Sequence, residues 1–180
     1  MYVALLRGIN VGGSNLIKMP ALKACFEAQG FRDVATYIQS GNVLFTAGRS
    51  NHNALTGQLE KALSKTFACR SRVVVRSFEQ MEAVVEGAPK GFGTRPAAYR
   101  YDVIFLKHPL TADDAMKTMR PKPGVDRVVA GDGVLYCSRL ISRAAQSHLT
   151  RVVGTAAYQN MTIRNWNTTR KLLELMERAR

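Results

Sequence analysis

The sequence predicts an α+β protein made of two tandem ferredoxin-like βαββαβ units with antiparallel sheets, followed by a C-terminal helix. Three observations carry that expectation. Apolar runs of strand length alternate with stretches of helical spacing. Two short hairpin signals, Gly41-Asn42 and Asp132-Gly133, recur at corresponding places. A stretch punctuated by glycine and proline, GAPKGFGTRPAA, separates the two copies. The expected boundaries are 1–86 for the first unit and its connecting helix, 87–98 for a linker, and 99–180 for the second unit and the C-terminal helix.

In the first unit, YVALL at 2–6 reads as a buried strand. Met19, Leu22, Cys25 and Phe26 then fall on one helix face, with Pro20 suited to the first helical position and Gly30 to a left-handed stop that folds Phe31 back onto Phe26. VATYIQS and VLFTA flank Gly41-Asn42 as a hairpin with a two-residue connection. That register sets Ile38, Val43 and Phe45 on one face and Tyr37, Gln39 and Leu44 on the other. Residues 53–67 are amphipathic through Leu55, Leu59, Leu63 and Phe67, and RVVVRSF closes the unit as a strand. FEQMEAVVEG is a connecting helix.

The pattern then recurs. YDVIFLK is a strand, and TADDAMKTM a helix capped by Thr111 with Asp114. VDRVVAG and VLYCS form a hairpin around Asp132-Gly133, SRAAQSHLTRVVG has helical spacing, and MTI suits a short strand. NWNTTRKLLELMERA is an amphipathic helix through Leu172, Leu173, Met176 and Ala179.

A chain of 180 residues can bury its own core. Its balance is the informative feature: 26 Lys+Arg against 13 Asp+Glu gives a formal charge of +13, a field that concentrates and steers anions. Compositional drift toward arginine, with the charges as a solvated coat, explains the same numbers. Cys25, Cys69 and Cys137 are too few and too far apart for a disulfide framework or a zinc cluster, and each sits among apolar residues as a buried small hydrophobe does. The N-terminus lacks the basic and long apolar regions of a signal peptide, and no run approaches the roughly 18 apolar residues of a membrane span. A soluble cytoplasmic protein with no membrane association is expected. His52, His108 and His148 have no neighbours at ligand spacing, and H-E-x-x-H, C-x-x-C and G-x-S-x-G are missing, so no metal and no cofactor is expected. Asp102, inside a strand, is the one acid open to an unusual role, and a strand-end salt bridge explains it at least as well.

Three strings concentrate polar chemistry. LLRGINVGGSN places glycines between a strand and a helix, where backbone N–H groups can converge on an anion, although it fits neither the G-x-G-x-x-G nor the P-loop fingerprint. TYIQSGNV offers a tyrosine and amides, and Arg72 and Arg76 share one face of the last strand of that unit. If that face is open, tyrosine, amide and guanidinium groups meet on it, as in sheet-face RNA readers. TIRNWNT gathers an arginine, two asparagines and the only tryptophan around one helix start, where Asn165 or Asn167 is also placed as a cap.

In this order and at these spacings, ALLRGINVGGSN, TYIQSGNVLF and TIRNWNT resemble the uncharacterised bacterial family known as domain of unknown function 1697. The likeness covers nearly the whole chain. Its matching positions are Arg7, Gly8, Asn10, Gly12 and Gly13, then Gln39, Ser40, Gly41 and Asn42, then Arg164, Asn165, Trp166, Asn167 and Thr168. The resemblance implies two ferredoxin-like halves and no activity. The family often carries lysine where Ser14 stands, so a lysine-dependent role does not transfer.

The residues themselves point to a binding module in which the three strings converge on one basic, amide-rich surface for an anionic ligand, nucleic acid or nucleotide. Arg7, Lys18 and Arg164 would hold phosphate or carboxylate, with Gly8, Gly12 and Gly13 lending backbone. Asn10, Gln39, Asn42 and Asn167 would meet polar edges, Tyr37 or Trp166 would stack, and Ser40 and Asn165 belong to the same ligand-binding set. A metal-independent enzyme acting on a small phosphorylated or carboxylated substrate would use the same residues, with no catalytic group identifiable. A third reading makes the strings purely structural, at the junction of the units.

Overall fold

A computed structural model describes residues 1–10, 16–48, 51–68 and 70–180. Gly12, Gly13, Ser14 and Cys69 lie outside the described residues. The elements are β1 (Tyr2–Arg7), α1 (Met19–Glu27), β2 (Arg32–Tyr37), β3 (Asn42–Thr46), α2 (His52–Phe67), β4 (Arg72–Ser77) and α3 (Phe78–Glu86). They continue with β5 (Tyr99–Leu106), α4 (Ala112–Thr118), β6 (Asp126–Gly131), β7 (Val134–Leu140), three 3-10 turns over 141–160, β8 (Met161–Asn165) and α5 (Trp166–Arg178). Two four-stranded antiparallel sheets result, ordered β2-β3-β1-β4 and β6-β7-β5-β8, each the product of a βαββαβ-like unit.

The first unit comprises Met1–Met81 and Leu172–Arg180. Strand alternation sends Tyr2, Ala4 and Leu6 of β1, Val43 and Phe45 of β3, and Val73 and Val75 of β4 to one face, where they meet Leu22, Cys25 and Phe26 of α1 and Leu55, Leu59 and Leu63 of α2. Phe45 is the hub of this core, with ring centroids 4.6 Å from Phe31, 5.5 Å from Phe26 and 5.7 Å from Tyr2. Phe31 does fold back on Phe26, at 6.2 Å, beyond a left-handed Gly30 at φ +81°.

The hairpin differs from expectation. Tyr37 pairs with Asn42, Thr36 with Val43 and Ala35 with Leu44, so the connection has four residues, Ile38 to Gly41. Ile38, expected in the core, is 51% exposed with φ +50°. The cause lies in β1: Leu6 N donates to Gly41 O at 2.8 Å, which draws the backbone at Gly41 so close that a Cβ there would stand 2.8 Å from Leu6 Cβ. Asn42, fully buried, closes the turn by donating from Nδ2 to Tyr37 O (3.1 Å) and Ser40 Oγ (2.8 Å). The condition set for the second sheet face, that it be open, is not met along its middle. Register places Val3, Leu5, Leu44 and Val74 along its middle, all buried, so Tyr37, Arg72 and Arg76 do not share an open surface.

The second unit is Glu82–Lys171. One sheet face packs Ile104, Leu106, Leu135, Cys137 and Met161 against Ala115 and Met119 of the α4 region and Val152 of the turns. Thr111 caps α4 by accepting from Asp114 N at 3.1 Å. The turn between β6 and β7 is Asp132-Gly133, as expected. The helix expected over 142–154 is instead 3-10 turns, Ile141–Gln146 and Leu149–Gly154. Asp126 diverts the groups a helix would need: its Oδ1 accepts from Ser147 Oγ (2.7 Å) and its Oδ2 from His148 N (2.8 Å), while Ser147 Oγ also accepts from Leu149 N (3.2 Å).

Residues 87–98, expected as a linker, belong to the second unit and are tied by their own turns, Phe92 N to Pro89 O (2.8 Å) and Tyr99 N to Arg95 O (2.9 Å). The C-terminal residues, expected in the second unit, belong to the first, where the Arg180 guanidinium lies 4.3 Å over the Phe78 ring. At Gly41, where φ is +71°, Gly41→Ala would combine a left-handed backbone penalty with overpacking against Leu6 and Ile9. The expected loss is roughly 2–4 kcal/mol, read by urea unfolding.

Candidate functional site

The first two strings meet within the first unit. Asn10, at φ +54°, donates from Nδ2 to Gln39 O (3.1 Å) and Ile17 O (3.0 Å) and accepts at Oδ1 from Ile17 N (2.7 Å). This clasp joins the end of the strand-to-helix loop to the hairpin turn, and it occupies both amide hydrogens of Asn10. Around it Gly8, Lys18 and Gln39 are exposed and Arg7, Tyr37 and Ser40 half-buried. Arg7 stands directly opposite Arg72 in the β1–β4 register. His52 of the same unit lies edge-on to Tyr2 at 5.7 Å with its Nε2 buried, and burial, reinforced by Arg76, lowers its pKa.

The third string lies in the second unit. Arg164 is 8% exposed and donates to Thr162 Oγ1 (3.0 Å) and Ile163 O (2.8 Å). Burial pulls its pKa down to about 10, which leaves the guanidinium protonated at neutral pH. Asn165 is the cap of α5: Oδ1 accepts from Asn167 N at 3.0 Å, and Nδ2 donates to Tyr101 O at 3.1 Å. Trp166 opens the helix and is largely buried, with Gly93 (φ +81°) seated against its indole where any Cβ would overlap the ring. Asn167 is exposed.

Two cavities open in this unit. One, of about 410 Å³, is lined by Asn165, Trp166 and Asn167 together with Tyr99, Arg100 and Arg139. It sits at the start of the 13-residue α5, where the helix field favours negative charge. No carboxylate is among its lining residues. Arg100 and Arg139 stand directly opposite each other across β5 and β7, and Asp126 stands opposite Arg139 in the β6–β7 register. Arg100 Nε is paired to Asp102 Oδ2 at 2.8 Å, the strand salt bridge expected of that residue, which leaves the terminal nitrogens of its fork for other acceptors.

The other cavity, about 340 Å³, is walled by Phe92, Tyr99, Tyr101 and Tyr136 and carries Lys90, Arg95 and Arg127. Phe92 makes edge contacts with Tyr101 (4.9 Å), Trp166 (5.1 Å) and Tyr136 (5.4 Å). Asp126 is its single acid. Burial works against ionisation there, but hydrogen bonds from Lys122 N, Ser147 Oγ and His148 N outweigh it and hold the carboxyl below its usual range.

Asn165, Trp166 and Asn167 are the residues of these cavities that the sequence motifs mark; Arg100, Arg139 and the whole second cavity lie outside those motifs. Glycine and proline made 87–98 look like a spacer. The overlooked signal was Phe92, a large ring between two glycines, followed by arginine and tyrosine in close alternation through RPAAYRY. Cys137 is buried, and burial, with Asp102 and Asp126, pushes its thiol up to about 12; Cys25 is buried with Sγ 3.5 Å from Thr66 Oγ1. Neither suits a nucleophile. Among the described residues no cluster of His, Cys, Asp and Glu could hold a metal ion, and no helix is long and apolar enough to cross a membrane.

Residues 1–136 match the family described as protein of unknown function (DUF1697), and the chain belongs to that family. Among solved structures, the conserved bacterial protein SP0830 of Streptococcus pneumoniae is 25% identical, with 97% of each chain covered and a TM-score of 0.84. No curated protein matches the chain.

Asp126→Ala should destabilise the protein by roughly 2–3 kcal/mol at neutral pH, because three half-buried donors lose a charged acceptor. The carboxyl titrates lower folded than unfolded, so its contribution is present above about pH 4 and is lost as pH falls through the folded value. Urea unfolding at pH 7, 5 and 3 should show the gap between wild type and variant closing only at the lowest pH.

Proposed function

Starting from a family that fixes the fold and assigns no activity, we propose that this chain is a binding module for an anionic ligand with a planar group, of the nucleotide class, received in the 410 Å³ cavity of the second unit. One observation carries the reading: two guanidinium groups opposed across neighbouring strands, beside an indole and two asparagines, with no acid lining the space. A phosphate between Arg100 and Arg139 accepts charge-assisted hydrogen bonds from the guanidinium nitrogens that Asp102 does not take. The half-buried Tyr99 offers ring surface to a base, the largely buried Trp166 borders the space, and the exposed Asn167 amide offers a donor and an acceptor to the base edge.

The hydrogen bonds favour a different role for three asparagines of the motif strings. Asn10, Asn42 and Asn165 hold backbone groups, so each positions the site's surroundings and leaves ligand contact to its neighbours. Arg164, buried, acts as a fixed positive charge. In the first unit, Arg7, Gly8, Lys18, Tyr37, Gln39 and Ser40 form a second basic, polar group around the Asn10 clasp, proposed as a separate anion-receiving surface.

Calorimetric titration with uridine 5′-monophosphate tests the main reading. Arg139→Gln should lower affinity about tenfold, equivalent to ~1.4 kcal/mol, while changing folding stability by less than about 1 kcal/mol. No binding by the wild type at millimolar ligand, or equal binding by the variant, would overturn it.

A further inference from the structure

The two cavities of the second unit share a wall. Tyr99 and Tyr101 line both, and they project from the same face of β5, two residues apart, with ring centroids separated by 6.1 Å. The 410 Å³ cavity has Arg100 and Arg139 in its lining, which leave β5 and β7 on the face opposite the two tyrosines, and the 340 Å³ cavity has Lys90, Arg95 and Arg127. Each chamber therefore has its own cations, and each has a further ring in its lining beyond the shared pair: the largely buried Trp166 in one and the half-buried Phe92 in the other. The Arg95 guanidinium stacks 5.3 Å from the Tyr99 centroid, so a cation stands directly at the partition. A ligand with one phosphate and one base satisfies only half of this surface.

We propose that the 340 Å³ cavity takes the nucleotide adjacent to the one in the 410 Å³ cavity, so that the ligand is a single strand of nucleic acid read as two consecutive nucleotides across the Tyr99–Tyr101 wall. This rests on the nucleotide reading of the 410 Å³ cavity. Aromatic side chains alternating along a sheet face are a known means of holding successive unstacked bases, with basic side chains following the backbone between them. Asp126 does not block the second chamber, because both its oxygens are turned to the backbone of Lys122 and His148 and to the Ser147 hydroxyl. Lys90, Arg95 and Arg127 are exposed and positioned to meet a phosphate entering from solvent.

The experiment compares uridine 5′-monophosphate with the 5′-phosphorylated dinucleotide pUpU, by calorimetry, on the full chain and on Arg127→Gln. Arg127 is exposed on β6, so the substitution leaves the fold intact, which circular dichroism verifies. The wild type should bind the dinucleotide about tenfold or more tightly than the mononucleotide. Arg127→Gln should remove most of that gain and leave mononucleotide affinity unchanged. Equal affinity of the wild type for both ligands overturns the two-chamber inference and leaves the single-nucleotide reading standing. So does a gain that Arg127→Gln does not reduce. Absence of binding to either ligand overturns the underlying reading and this inference with it.

Discussion

The contact between Gly93 and the Trp166 indole is the constraint on which the second unit's surface depends. Gly93 has φ +81°, and its Cα lies so near the ring that no side chain fits. That close approach lays the 87–98 segment onto the sheet and carries Phe92 into edge contact with Tyr101, Tyr136 and Trp166. Tyr136 adds a second tie, donating its hydroxyl hydrogen to Val84 O at 2.7 Å just before the segment begins. Both cavities follow from this placement: Gly93 and Pro96 border one, and Pro89, Gly91 and Phe92 border the other. A stretch with little side-chain bulk thus shapes two openings by where its backbone is pinned.

The asparagine-rich strings take on sense when their hydrogen bonds are followed. A carboxamide offers both donors and an acceptor, so one side chain can stand in for a missing stretch of ladder. Asn10 bonds both the N–H and the C=O of Ile17, as a neighbouring strand would. Asn165 replaces the β8 partner that Tyr101 O loses where the strand gives way to α5, and it caps the helix with its other end. Charge is distributed differently. Arginines are set opposite arginines at Arg7–Arg72 in one unit and at Arg100–Arg139 in the other, where Arg100 is ion-paired to Asp102.

Much of the fold was legible because its signals are periodic. Core positions such as Ala4, Val43, Phe45, Leu59 and Val75 follow strand and helix spacing, and all are buried. The hairpin register is not legible locally, because Gly41-Asn42 looks like a two-residue turn, while the contact that widens the turn comes from Leu6, remote in sequence. The 3-10 turns near Ser147 were hidden for the same reason, since Asp126 redirects the backbone from 21 residues away. Of the candidate site, the TIRNWNT string was visible as chemistry, yet its partners Arg100 and Arg139 were invisible. They become neighbours only through the β5–β7 register, and no local pattern announces a cross-strand pair.

Trp166 is the chain's single tryptophan and lines the cavity at the centre of this reading, so its emission reports directly on occupancy. Titration with uridine 5′-monophosphate, corrected for absorbance, should give a saturable change in Trp166 fluorescence that weakens as salt rises from 50 to 200 mM. Emission that stays flat to millimolar nucleotide at the lower salt concentration would contradict an anion-receiving cavity at the start of α5.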